Sequence, residues 1–356
     1  MWRSNLYSDI KISLTGTLSV NHESATTTFF SHRFMLASRS LYFHTSLKGR
    51  GNTTKPIVKA AAGSSEEDPL AVTLPSPPFT PASLHFTLGY MYAGTLEFSQ
   101  ETYDLETAFH IMKSATFLSM PSLYVEIQAR IVEGMMHGLF HAFLECSEYE
   151  RVTGGKWGKA GCRCRQCVRR APRVLSFATA EDVRNPCLER GAKRALVGFY
   201  GEGWCTPEFS KLPEAVKLQC VEAVAKRTTP VNIFPLLFAT HQALGKLDNI
   251  SEFWSEGIRE LLWSGGIREL VLSARKTMDE VMCNQVEECF EQPEWVEIMV
   301  RDGASFDAGK VEWVMDSIRR GLNERNAPLV YQVGGSTNLS NLGLTNRHRL
   351  WFRRSF

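Results

Sequence analysis

Three cysteines within six residues, Cys162-Arg-Cys164-Arg-Gln-Cys167, are the densest set of chemistry-bearing side chains in the sequence. Thiolates at this spacing can furnish three corners of a tetrahedral Zn2+ site, with Cys146, Cys187 and Cys205 as candidates for the fourth. The Cys-x-x-Cys half has zinc spacing, but no second pair follows it. The simpler expectation is a group of reduced thiols in a basic loop, with no cofactor. Asp9 and Arg33 fall at the ends of elements that should pack together, and a partly buried ion pair is expected between them. Phe199-Tyr-Gly-Glu-Gly-Trp204 has the spaced glycines of a phosphate loop. No Lys-Ser/Thr follows and no strand precedes, so it reads as a turn whose Trp204 plugs a helix junction. His241 sits in a helical pattern, where a packed or surface histidine is expected rather than a ligand. No paired carboxylates and no Ser-His-Asp set stand out by spacing, so the chain is not read as an enzyme.

The elements that must position these residues belong to a chain of 356 residues, long enough for two ordinary domains. With 44% apolar and 22% charged residues, the composition is that of a globular protein. A net charge of +2 argues against a chain-wide nucleic-acid footprint. No run approaches the roughly 20 apolar residues of a membrane helix, and the start, Met1-Trp-Arg-Ser-Asn-Leu-Tyr7, lacks the apolar core of a signal peptide. Nine cysteines, an odd number without framework spacing, are expected to be reduced. The expected setting is the cytoplasm or nucleus, with no membrane partner.

Ile10, Ile12 and Leu14 alternate with polar residues as in a half-buried strand. Thr15-Gly-Thr17 reads as a turn into a return strand at Leu18 and Val20, and Thr26 to Phe30 as a further extended piece. Two short helices follow over Phe34 to Phe43, with Ser40 capping the second. Phe30, Phe34, Leu36, Leu41 and Phe43 are the expected core nucleus. Residues 48–69 are Gly-, Ser-, Ala- and charge-rich and are expected to be a disordered loop. Leu70 to Leu74 reads as a strand, and three amphipathic helices follow, on Leu84–Met91, Leu105–Ala115 and Met120–Ile131. Gly94 ends the first and Pro121 opens the third. Strands first and helices after give an α+β unit, a small sheet with packed helices.

Four motifs in this order resemble the BTB/POZ family over about 130 residues. They are Ser8-Asp9-Ile10, His32-Arg33 with the following Leu36-Ala-Ser-x-Ser-x-Tyr-Phe43, Tyr90-Met-Tyr-Ala-Gly94, and Ala115-Thr-Phe-Leu-Ser-Met-Pro-Ser-Leu123. The resemblance implies a protein-interaction module with a charged pocket at Asp9, His32 and Arg33. It also implies pairing through the first helices, with Phe34, Met35, Leu41, Tyr42 and Phe43 as interface candidates. Partners would be a second copy, another BTB protein, or a cullin scaffold. Only seven residues precede Ser8, so the N-terminal segment that many members swap is expected to be missing or the chain start to be incomplete. Cullin-binding members often carry a hydrophobic-x-Glu element after the Tyr-Phe helices; here His44-Thr-Ser-Leu-Lys-Gly-Arg50 lacks the acid.

Gly134 to His141 reads as helical, continuing to about Glu150. The expected organisation is a BTB unit over 1–134, a helix and basic Cys/Gly-rich linker over 135–175, an all-α region over 176–331 and a disordered basic tail over 332–356. Expected helices include Ala180–Phe199, Leu212–Lys226, Pro230–Leu247, Ile250–Trp263, Ile267–Phe290 and a stripe from Val311 to Leu322. The echo of Gly257-Ile-Arg-Glu-Leu-Leu262 in Gly266-Ile-Arg-Glu-Leu-Val271 is too short for a solenoid repeat. The function expected is a non-enzymatic interaction scaffold, of which adaptor work for a cullin-RING ubiquitin ligase is one version. The alternative is a transcriptional or chromatin co-regulator whose basic linker or tail contacts nucleic acid. Only Trp157 is interleaved with the linker arginines, which ranks that alternative second.

Overall fold

A computed structural model describes residues 6–15, 27–48, 69–154, 160–253, 258–299 and 307–335. The expected return strand at 18–20, the loop at 48–69 beyond Lys48, and the tail beyond Gly335 lie outside them. The chain forms two compact units, one of residues 1–138 with 180–184, the other of 139–179 with 185–356.

In the first unit, β1 (Ile10–Thr15) is the central one of three strands among the described residues. It pairs antiparallel with β2 (Thr28–Ser31) and parallel with β3 (Leu70–Pro75), with Ile12 opposite both Phe29 and Val72. The alternation works as expected: Ile10, Ile12 and Leu14 are buried while Lys11 and Ser13 are half-exposed. Helices α1 (Arg33–Arg39) and α2 (Leu41–Lys48) follow β2 as a short hairpin. Helix α3 (Pro81–Ala93) starts in a capping box between Thr80 and Ser83 and stops at left-handed Gly94. It is buried almost all round and packs on α1 and on α4 (Leu105–Phe117), which packs on α5 (Pro121–Arg130). Glu126 ties the loop after α3 to α5: one carboxylate oxygen accepts from the Leu96 amide at 2.8 Å and from the Arg130 guanidinium at 2.9 Å.

The expectation of a continuous helix through Gly134 to Glu150 is corrected here. One π-helical turn, Ile131–Met135, ends α5. His137, Gly138, Leu139, Phe140 and His141 then all take positive φ, from 39° to 89°. Each non-glycine residue in that region costs about 1–2 kcal/mol, so tertiary contacts must hold the turn. They come from α8 (Pro186–Gly198). Arg194 donates to the carbonyl of His141 at 2.9 Å and Arg190 to that of Ala142 at 3.3 Å. The Phe140 ring fills a notch where a β-carbon on Gly198 would come within 2.3 Å of it and one on Gly161 within 2.4 Å. Leu139 and Ala142 stand over Gly191 in the same way, at 2.8 and 2.5 Å.

The rest of the second unit is helical: α6 (Cys146–Thr153), α7 (Arg165–Ala178), α8, α9 (Pro207–Ser210), α10 (Glu214–Arg227), α11 (Ile233–Phe253), α12 (Ile258–Asn284), α13 (Val286–Phe290), α14 (Pro293–Met299), α15 (Ala308–Gly321) and α16 (Ala327–Gly335). Three sequence readings shift. Residues 165–175 are not linker but the first turns of α7, which packs on α8. Pro186 opens α8 behind an Asn185 cap instead of lying inside a helix from Ala180. Helix α12 runs on through Gly265 and Gly266, because neither adopts the left-handed backbone that would stop it. Trp204 is fully buried, donates to the Leu196 carbonyl at 2.8 Å and stacks on Phe209, as the plug reading expects. Buried Asp279 ties α12 to α15, accepting from Ser317 at 2.6 Å and from Arg320 at 2.9 and 3.1 Å. Among the described residues no helix is long and apolar enough to cross a membrane.

Two outcomes follow. Gly198→Ala drives a methyl into the Phe140 ring and should lower stability by about 1–3 kcal/mol. Thermal unfolding checks this, and Phe140→Leu in the same chain should recover part of the loss. Asp279→Ala leaves the Arg320 charge without its acceptor. The loss should be about 2–3 kcal/mol, below the ~3–5 of a fully buried pair because Arg320 keeps some solvent.

Candidate functional site

The first unit brings the two ends of its motifs together around the start of α1. His32 precedes the helix in an extended conformation. Its ring Nδ1 lies 2.7 Å from the Tyr92 hydroxyl and its Nε2 lies 2.9 Å from the Leu6 carbonyl. A carbonyl only accepts, so Nε2 donates to Leu6, and in the neutral ring Nδ1 then accepts from Tyr92. The Tyr92 oxygen in turn accepts from the His32 amide at 3.1 Å, with the Ser31 hydroxyl at 2.9 Å. Tyr92 was not singled out from the sequence, although it stands inside the Tyr90-Met-Tyr-Ala-Gly94 motif. Its place on α3 was legible, but not that it turns toward His32.

Asp9 and Arg33 form the expected pair, Arg33 Nε donating to Asp9 Oδ2 at 3.0 Å. It is not buried as expected: the side chains are 52% and 46% exposed for Arg33 and Asp9. The other carboxylate oxygen takes the Arg33 backbone amide at 2.7 Å. Asp9, the residue before β1, therefore serves α1 as an N-terminal cap, satisfying an amide that the helix itself leaves unbonded.

The α1–α2 hairpin divides its apolar residues between two sides. Leu36 and Phe43 are fully buried, so Phe43 belongs to the core and not to an interface. Met35 and Tyr42 are half-buried, Tyr42 packing on Phe117 with ring centroids 5.1 Å apart. Burial raises the Tyr42 phenol above its ordinary range. Phe34 and Leu41, expected in the core nucleus, are 73% and 60% exposed, while Phe30 is half-buried. A seven-residue helix has one narrow inward stripe, and Leu36 occupies it.

In the second unit the three cysteines of the sequence cluster do converge. Cys164 is the N-cap of α7 and its sulfur accepts the Cys167 amide at 3.5 Å. That hydrogen bond holds the Cys164 thiol down at about 6, while burial pushes Cys167 well up. The sulfurs of Cys162, Cys164 and Cys167 all lie within 4.8 Å of one another. None of the three cysteines proposed as the fourth donor joins this group. Cys146 meets Arg194 at 3.7 Å, Cys187 is half-buried, and buried Cys205 donates to the carbonyls of Gly201 and Ala243. Several linker arginines are engaged within the fold: Arg151 with Glu148, Arg169 with Glu208, and Arg163 with the Gly198 carbonyl. His241 stacks on Trp313, the packed histidine expected.

Residues 4–133 match the family model described as BTB/POZ domain. No curated protein matches the chain.

The exposed Asp9 carboxylate should matter as a cap more than as a charge. Asp9→Ala should lower stability by about 1 kcal/mol, and Asp9→Asn, which keeps an acceptor for the Arg33 amide, by less. Denaturant midpoints of both variants check this; a loss near 3–5 kcal/mol in Asp9→Asn would mean that the pair is desolvated in solution.

Proposed function

The chain carries a BTB/POZ domain, a protein-interaction module, and on that premise we propose that it is a non-enzymatic scaffold that pairs with a second BTB domain, first of all its own copy. The observation that carries this is the split of the α1–α2 hairpin. Leu36 and Phe43 anchor it in the core, while Phe34 and Leu41 stand out from it, apolar and exposed. Large apolar side chains held outward on a rigid element are the composition of an interface core. The helical second unit then serves as the surface for a different partner.

Adaptor work for a cullin-RING ubiquitin ligase is one form of this role. No acid stands on α1 or α2, whose sequences are Arg33-Phe-Met-Leu-Ala-Ser-Arg39 and Leu41-Tyr-Phe-His-Thr-Ser-Leu-Lys48. Direct recruitment of a cullin through this hairpin should accordingly be weak, and calorimetry of the full chain against a cullin N-terminal domain tests it. A nanomolar affinity would show that another surface compensates.

Sedimentation velocity tests the pairing. The full chain should show a monomer–dimer equilibrium in the micromolar range, about −8 kcal/mol. Phe34→Glu with Leu41→Glu should abolish it without shifting the thermal midpoint, since neither side chain fills the core. A wild-type chain that stays monomeric at high concentration, with no BTB protein recovered beside it from cells, would overturn the proposal.

A further inference from the structure

We propose that Cys164 reacts with hydroperoxides and that the reaction ends in a disulfide to Cys167. This reversible modification site is confined to the second unit and is independent of the pairing proposed for the first. The sulfurs of Cys162, Cys164 and Cys167 lie within 4.8 Å of one another, and none of the three is in a disulfide. A disulfide joins residues whose Cα atoms lie within about 7 Å. Two residues three apart across one helical turn meet that limit. Closing the pair therefore needs side-chain rotation and no change of fold.

The three thiols are not equivalent. Cys-x-x-Cys at the head of a helix sets its sulfurs at the N-cap and N3, which face one another across the first turn. Cys164 and Cys167 hold those positions on α7, a helix of 14 residues, and the Cys167 amide donates to the Cys164 sulfur at 3.5 Å. A sulfur that accepts an amide at a helix N-terminus is favoured as the thiolate, the form that attacks. The amide bond accordingly holds the Cys164 thiol below its ordinary range. Cys164 keeps part of its surface in solvent, where a small peroxide reaches it, while Cys167 is only 1% exposed. Burial also raises the Cys167 thiol and keeps its proton in place. Cys164 is thus the nucleophile and Cys167 the thiol that resolves its oxidised form. Cys162, before the cap, stays a thiol.

The chemistry balances with peroxide as the oxidant. The Cys164 thiolate attacks an oxygen of hydrogen peroxide. An S–O bond forms, the O–O bond breaks, and its electron pair leaves with the second oxygen as hydroxide, which takes a proton from solvent. Cys164 is then a sulfenic acid. The Cys167 sulfur attacks the Cys164 sulfur, the S–S bond forms and the S–O bond breaks. The oxygen leaves as water with the Cys167 proton. The two thiols lose two electrons, the peroxide gains them, and a thiol reductant reverses the change. Because the two sulfurs are held side by side, the second step is intramolecular and runs ahead of any further oxidation of Cys164.

The test uses the full chain, reduced and then freed of reductant. Less than one equivalent of hydrogen peroxide is added at neutral pH, the remaining thiols are blocked with N-ethylmaleimide, and the chain is cut with trypsin for mass spectrometry. Cleavage after Arg163 and Arg165 puts the three cysteines on separate peptides, so the bond is read as a linked pair. Cys164 joined to Cys167 should be the main oxidised product, ahead of any product of exposed Cys146, and dithiothreitol should remove it. This readout needs no variant and so survives any folding defect. Cys164→Ser should abolish the link, and Cys167→Ser should strand Cys164 as a sulfenic acid that dimedone labels. Cys162→Ser should leave the link intact, whereas a metal held by three thiolates would need Cys162 as much as the other two. Absence of the Cys164–Cys167 link in the wild-type chain, or a link to Cys162 as the main product, would overturn the proposal. So would a stoichiometric metal ion in the purified chain that keeps all three thiols from peroxide until a chelator removes it. Loss of the link in Cys162→Ser would overturn the assignment of the bond to two thiols alone.

Discussion

The second unit depends on one backbone constraint, the left-handed backbone of Leu139, Phe140 and His141. Side chains of leucine and phenylalanine do not enter that region by local preference. They are held there because Phe140 has a place to go. Its ring fits where Gly161 and Gly198 have no β-carbon, and packs edge-on against Phe199 with centroids 5.2 Å apart. The composition of α8 follows from this. Gly191, Arg194 and Gly198 lie three or four residues apart and so share a helix face, which Arg190 flanks one turn before Arg194. The glycines receive the side chains of Leu139, Phe140 and Ala142, and the arginines take the carbonyls of His141 and Ala142 where the turn ends. Arg194 has a further task, lying 4.1 Å over the Tyr149 ring and so tying α6 to the same face. Burial of that ring pushes the Tyr149 phenol to about 12, so the ring stays neutral beneath the guanidinium.

This explains where sequence reading worked and where it stopped. The strand alternation of Ile10, Ile12 and Leu14, the Gly94 stop and the Trp204 plug were legible, because each is a local pattern with one physical outcome. The left-handed turn was not. Gly134-Met-Met-His-Gly-Leu-Phe-His141 carries no local pattern that announces a left-handed run, and the turn is set by contacts with residues 20 to 60 positions later. For Asp9 and Arg33 the partnership was legible and its burial was not, since exposure depends on what covers a pair rather than on the pair. In α12, two adjacent glycines suggested a break, yet a buried stripe of Ile267, Val271, Ala274 and Met278 carries the helix across them.

The α1–α2 hairpin of the first unit faces the converse problem, since one short element must both fill a core and display a surface. Helices of seven and eight residues are too short to be stable by themselves. Their orientation is set at Ser40, the single residue between them. Its buried hydroxyl donates to the Leu118 carbonyl at 2.7 Å and accepts the Phe43 amide at 3.3 Å, while its own amide closes α1 on Leu36. One side chain thus caps the second helix, joins both to the end of α4 and fixes the angle between them. With Leu36 and Phe43 locked inside, Phe34 and Leu41 have no freedom to turn inward. An apolar pair displayed on a fixed backbone loses little further entropy when a partner covers it, so this anchoring favours association in a way that exposed area alone would not.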